Sequence, residues 1–225
     1  KCNIITQNST APATHPGSEA DDGVALLYDD SIKDALPEMC SLDVPLIDTV
    51  WMDLKFIYEW RREWLIKQAA RMKELGIKPE IEVFNVESIE DVFYHLYPAG
   101  VLDDPVSLTL VMGMDRISQG AISYTQKNHD FMIDLMYSAA AEAGAKNVDW
   151  TTMSIAAHQL PATVYGMLKG GGVRTGMEDN IMYRHGELAT SNAQLVERMV
   201  RIIRELEYEV ASPDEAREIL GLKKR

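Results

Sequence analysis

The stretch KPEIEVFNVESIEDVFYHLY, residues 78–97, decides the class of fold. Residues 80–85 form a short apolar and β-branched run of strand length, and residues 88–97 carry a helical pattern after a brief loop. A strand followed at once by a helix is one βα unit, which buries its apolar faces only by joining further units. Outward from it the same alternation recurs at intervals of about 30 to 40 residues, as βα units around a parallel sheet require. Six strands are predicted, over 2–7, 39–42, 80–85, 107–112, 148–155 and 172–177.

Helices are predicted between them over 22–36, 54–75, 88–97, 128–143 and 159–169. Gly76 and Gly144 end two of these, since glycine takes the left-handed conformation that closes a helix. In the tail, Ser191 caps a helix whose Leu195, Val196, Met199, Ile202, Ile203 and Leu206 share helical spacing. Ser212, Pro213 and Glu215 then supply a cap, a first-turn proline and a capping-box acid for a last helix. Six consecutive βα units suit either an open doubly wound sheet or an eight-stranded (β/α)8 barrel lacking two units, and the rhythm alone leaves both open. No glycine-rich dinucleotide loop follows any strand, which gives a nicotinamide or flavin no support. The absence of a linker or repeat points to a single domain over 1–225.

With 46% hydrophobic and 25% charged residues the chain has the composition of a folded protein with a substantial core. A net charge of −13 leaves no general basic surface for nucleic acid. The two cysteines, Cys2 and Cys40, lack the spacing of a zinc cluster or disulfide framework and read as buried thiols. No apolar run spans a bilayer and the first residues carry no signal pattern, so a soluble cytoplasmic protein is expected, with no membrane partner. Lys1 is not a methionine and Ile4 and Ile5 already read as core strand, so the chain is expected to begin in mid-fold.

Chemistry in such barrels sits at the C-terminal ends of strands. In GGGVRTGMEDN, residues 170–180, a period of two places Arg174, Gly176 and Glu178 on one face, with Asp179 and Asn180 turning into the loop. One cation beside two acids serves a metal or a proton transfer, or else forms a structural ion pair. Glu80 and Glu82 share a face of an apolar strand. A core acid needs a partner, and Arg174 is the candidate for Glu82, whereas Glu80 could face solvent near the strand's start. His158 lies in a βα loop and is a candidate substrate contact; His15, His95, His129 and His185 form no paired ligand motif. Ser9 and Thr10 end the first strand and Ser41 lies in the second, where hydroxyls can bind a carboxylate or phosphate or simply serve turns.

The tail from Gly170 to Leu222, with KPEIEVFN, LPEMCSLD and TQNST in order before it, resembles the β-keto acid cleavage enzyme family over essentially the whole chain. The resemblance implies a zinc-dependent (β/α)8 barrel that uses acetyl-CoA to split a β-keto acid, releasing acetoacetate and a new acyl-CoA. It implies Glu178 as metal ligand, Asp179 as general base, Arg174 and Glu82 as the groups that hold it, and Ser9 and Ser41 as substrate contacts. It also implies a homo-oligomer. The family's other zinc ligands form an H-x-H pair, and none occurs here; with the mid-fold start, this predicts that about the first two βα units are missing. Three loops depart from the family pattern, at Ala11 and Pro12, at 114–124 and at 154–157. Two other readings stay open: an aldolase or isomerase barrel that stabilises an enolate without a thioester, and an inactive chain serving as an assembly partner.

Overall fold

The computed structural model describes residues 2–11, 19–44, 47–51, 54–58, 60–114 and 120–222, with 47–51 and 54–58 described by their backbone alone. Pro12, His15 and the middle of the 114–124 loop lie outside the described residues. In chain order the strands are β1 (Gln7–Asn8), β2 (Met39–Asp43), β3 (Ile47–Trp51), β4 (Leu54–Tyr58), β5 (Lys78–Val83), β6 (Val106–Met112), β7 (Val148–Ser154), β8 (Gly172–Val173), β9 (Met182–Arg184) and β10 (Glu187–Leu188). The helices are α1 (Ala20–Gly23), α2 (Arg62–Leu75), α3 (Val86–Asp91), α4 (Gln126–Ala143), α5 (Gln159–Leu168), α6 (Asn192–Glu205) and α7 (Pro213–Leu220).

Six strands form one parallel sheet in the order β1-β2-β5-β6-β7-β8. The register explains its two faces. Ser41 pairs with Glu80 and Glu80 with Ser107, while Asp43, Glu82, Thr109 and Thr151 line up one level on. Paired residues share a face, so one face of the sheet is polar. The alternate residues Cys40, Leu42, Ile81, Val83, Leu108 and Leu110 are buried against the helices, packing with Leu65, Met72, Ile89, Met132 and Met136. Burying such apolar side chains supplies about 1.5–3 kcal/mol each, so the helices cover this face and leave the polar one to a cleft.

Curvature turns that polar face inward. In a flat sheet the three interstrand steps from β5 to β8 span about 14 Å, and side chains stand off perpendicular to it. Arg174 just beyond β8 nevertheless reaches Glu82 of β5 at 2.7 Å, which requires the sheet to curl into a half-barrel. β1 and β8 are its two edges among the described residues.

The structure corrects several sequence expectations. The predicted helix over 54–75 is in its first part the strand β4, paired antiparallel with β3, and the helix begins only at Arg62. The predicted helix over 22–36 is a single turn followed by two 3-10 segments. The first strand pairs only over Gln7–Asn8 rather than 2–7. The last ends at Val173 rather than 177, because the backbone beyond it bonds to side chains and not to a ladder. Cys2 is exposed, whereas Cys40 is buried as expected, its thiol pushed up to about 11 by burial. Gly76 and Gly144 close α2 and α4 in the left-handed conformation, and Ser191 and Ser212 cap α6 and α7. No helix of the described residues is long and apolar enough to cross a membrane.

Candidate active site at the strand ends

The segment after β8 is a loop whose backbone groups are taken up by neighbouring helices. Thr163 of α5 donates to the Arg174 carbonyl at 3.2 Å and Gln159 to that of Gly176 at 2.8 Å, while Thr175 donates to Gln159 at 3.2 Å. Asn192 of α6 accepts from the Met177 amide at 2.7 Å, and the Ala156 amide donates to the Asp179 carbonyl at 2.8 Å. Ala156 does so from a positive φ of 50°, a conformation that costs a residue with a side chain of the order of 1 kcal/mol. The approach to the loop is equally tight: a Cβ on Gly171 would lie 2.5 Å from the Trp150 ring.

This loop folds Arg174 against three carboxylates. Its Nη1 donates to Glu82 at 2.7 Å, Nε and Nη2 donate to the two oxygens of Asp179 at 3.3 and 3.2 Å, and Nη2 also meets Glu178 at 3.4 Å. The two neighbouring acids differ sharply in environment, for the Glu178 side chain is 86% exposed and that of Asp179 is 3%. Burial raises the Asp179 carboxyl above its ordinary range, and Arg174 pulls against that rise. Glu82 is pushed up further, by burial and then by Asp43 and Glu80, again against Arg174. Burial works against the Arg174 charge as well, but Glu82 and Asp179 outweigh it and hold the guanidinium more firmly charged than usual.

Beneath lies a second layer, in which Asp43 is new and Glu80 departs from the solvent-facing position open to it in the sequence. Glu80 is buried rather than solvent-facing, accepting from Gln7 and from Thr109, and Thr109 in turn meets Thr151 at 2.7 Å. Asp43 is buried and stands beside Glu82 in the register. Its signal in the sequence was its position two residues after Ser41, hence on the same face of β2. Ser41 accepts from the Thr10 amide at 3.2 Å and its carbonyl accepts from the Thr10 hydroxyl; the Ser9 hydroxyl accepts from the Ala11 amide at 3.1 Å.

A cleft of about 730 Å³ opens over these groups, with Ser9, Ser41, Asp43, Glu82, Arg174 and Glu178 on its polar side and Val196, Met199, Val200 and Ile203 of α6 on its apolar side. That volume suits a small organic ligand. Of the expected site residues, Arg174, Glu82, Glu178 and Asp179 meet directly; Arg174, Glu82 and Glu178 line the cleft with Ser9 and Ser41, while Asp179, 3% exposed, stands behind Arg174. His158 does not line it; the ring is exposed and tilts against Tyr124 at 5.5 Å. Among the described residues no group of three or more His, Cys, Asp or Glu could hold a metal ion. These residues therefore do not by themselves fit a zinc centre, and Glu178 is the one exposed carboxylate that such an ion could reach beside Arg174.

A curled parallel βα sheet with a cation-clamped acid pair at its C-terminal strand ends defines an α/β protein of the half-barrel type. The chain belongs to the beta-keto acid cleavage enzyme family, whose model matches residues 1–222. It is 37% identical over 151 residues, 67% of this chain and 50% of the relative, to a 3-keto-5-aminohexanoate cleavage enzyme of Fusobacterium nucleatum. A protein of the same name from Acetoanaerobium sticklandii is 34% identical, over 84% of this chain and 63% of the relative. A 3-dehydrocarnitine:acetyl-CoA trimethylamine transferase of Rhizobium meliloti is 31% identical, over 86% and 59%. The chain thus spans about half to three-fifths of the length of these relatives. Among solved structures, ObcA in binary complex with oxaloacetate superposes with a TM-score of 0.71 at 17% identity, covering 99% of this chain and 53% of that one. At that identity the likeness bears on the fold alone.

Proposed function

We propose that this chain carries the proton-transfer site of an acetyl-CoA-dependent β-keto acid cleavage enzyme. The observation that carries the reading is the Arg174 fork on Asp179 and Glu82 at the mouth of the cleft, in a chain whose relatives are named for β-keto acid cleavage and acetyl-CoA transfer. The reaction exchanges groups: the carboxymethyl part of the β-keto acid joins the acetyl unit of acetyl-CoA and leaves as acetoacetate, and the remaining acyl part of the β-keto acid takes over the CoA.

Asp179 is the base for the carbon between the keto and carboxyl groups. Arg174 holds both its oxygens and so fixes its direction, and a carboxyl raised by burial is a stronger base than one in water. Glu82 braces Arg174 from the far side of the sheet. Ser9 and Ser41 offer hydroxyls to the substrate's oxygens at the polar wall, and His158 would contact substrate only from outside the cleft. Glu178 is the ligand this chain would offer to a zinc ion.

The same reading takes the six-stranded sheet as the larger part of a (β/α)8 barrel lacking two units, in a single domain, and the protein as a cytoplasmic homo-oligomer. The edges at β1 and β8 support it, since an exposed edge calls for a partner. Incubation with acetyl-CoA and a panel of β-keto acids tests the activity, with acetoacetate and a new acyl-CoA expected in equal amounts. Cleavage that proceeds without acetyl-CoA would favour the enolate-forming aldolase instead.

A further inference from the structure

In a chain of net charge −13, three guanidinium groups gather on one ring. Arg184 of β9 and Arg198 of α6 lie 5.1 and 4.8 Å from the centre of the Tyr183 ring, and Arg201 donates to the Tyr183 hydroxyl at 3.0 Å. Arg198 also donates to the Tyr183 carbonyl, while its Nε is buried with no hydrogen-bond partner. Of the three, Arg184 alone has a carboxylate at ion-pair distance among the described residues, Glu187 at 3.1 Å. Each guanidinium carries five N–H donors, so most of them remain free for a ligand. Crowding like charges is unfavourable unless an anion joins them, and burial together with Arg184 and Arg201 indeed lowers the pKa of Arg198.

The position narrows the ligand. The β9–β10 hairpin belongs to the connection after β8, and loops after the last strands of (β/α)8 proteins frequently form phosphate sites. Tyr183 follows Asp179 by four residues, at most about 14 Å of extended chain. By helical periodicity Arg198 and Arg201 lie on the side of α6 turned away from the cleft-lining Val196, Met199, Val200 and Ile203. A ligand that uses both places needs a phosphorylated end and a long arm.

We propose that Arg184, Arg198 and Arg201, gathered on Tyr183, bind the phosphorylated nucleotide end of the CoA thioester, whose arm crosses the hairpin to bring the thioester to the cleft. The inference rests on the acetyl-CoA reading above, and it assigns the part of the molecule that holds the cofactor's charge. Arg forks match phosphate oxygens in pairs, and Tyr183 gives them a rigid base.

Calorimetric titration of the protein with adenosine 3′,5′-bisphosphate tests the site, with adenosine and inorganic phosphate as separate arms. Saturable binding is expected for the bisphosphate, at least tenfold tighter than for either simpler probe and weakening as salt is raised. Arg184→Gln and Arg201→Gln, both at exposed positions, should each weaken it about tenfold with circular dichroism and melting unchanged. In turnover they should raise KM for acetyl-CoA and leave kcat, the pattern of lost uniform binding. Absent binding, equal affinity in the variants, or phosphate or adenosine binding as tightly as the bisphosphate overturns the proposal. The probe has no thioester, so the two readings fail separately. A protein that makes acetoacetate but does not bind the bisphosphate loses this site and keeps the reaction; one that binds it without acetyl-CoA turnover keeps the site and loses the reaction.

Discussion

Arg217 and Arg174 hold carboxylates at opposite ends of the same sheet. Arg217, on α7, grips Glu38 with Nε at 2.7 Å and Nη2 at 3.0 Å and also donates to Asn3 at 2.7 Å and the Ile4 carbonyl at 3.3 Å. These partners lead into β1 and β2, and the Arg217 and Glu38 side chains are each 10% exposed. One cation meets one buried acid with both forks used, beside the exposed Asp214 of its own helix at 3.4 Å, and this fastens the last helix under the sheet. Arg174 instead faces three acids, one of them largely exposed, with Asp43 and Glu80 close behind, and it opens on a cleft. A matched pair is a fastening. An outnumbered cation leaves carboxyls that are displaced upward and able to exchange protons.

The comparison predicts that stability and activity separate between the two ends. Arg174→Met should lower turnover by about 10² to 10⁴, the range for a misdirected general base, and cost less stability than the loss of Arg217, because Glu82 and Asp179 are already displaced toward their neutral forms and take up protons when the cation goes; steady-state rates and urea melts on one preparation check both. Arg217→Ala should lose about 3–5 kcal/mol of stability by leaving Glu38 buried without its cation, with the turnover of the folded fraction unchanged. Equal losses of stability at both sites would erase the distinction.

A pH series sharpens it. Because the folded pKa of Glu82 is raised from 4.5 to about 8, the folded state binds the extra proton within that window. Stability should therefore fall as pH rises from about 4.5 to about 8, by at most about 1.4 kcal/mol per unit. Glu82→Gln, which keeps an oxygen for Arg174, should flatten that slope, and an unchanged slope would show that Glu82 titrates normally. The smallest effect lies away from both ends: Thr125→Ala removes the side-chain acceptor for the Asn128 amide at the start of α4 and should cost about 1 kcal/mol in thermal melts.

How legible these regions were depends on what fixes them. The central strands and the terminal helices read directly because apolar alternation, caps and glycine ends are local. Of the β3–β4 hairpin, β4 falls within the helix predicted over 54–75: LKFIY continues the apolar run of α2, and only the backbone pairing of Ile47–Trp51 with it sets the strand apart. At the cleft end the expected residues do meet, but not through the strand spacing that brings them to attention. Period-two geometry stops at Val173, and Glu178 and Asp179 meet Arg174 because Thr163, Gln159, Asn192 and the Ala156 amide shape the turn, partners distant in sequence. The burial of Glu80 and the place of Asp43 are not legible in the sequence, because they come from register with Glu82 and from Gln7 and Thr109, and single strands do not display register.

The most direct test of the account is the exchange of the hydrogens on the carbon between the keto and carboxyl groups of a β-keto acid in deuterated water, followed by NMR without acetyl-CoA. The protein should speed deuterium entry above the uncatalysed rate. Asp179→Asn should slow that catalysed exchange by about 10² to 10⁴, while Asp214→Asn at the structural end leaves it unchanged. Exchange at the full rate in Asp179→Asn would contradict the central claim that the Arg174-held carboxylate is the base.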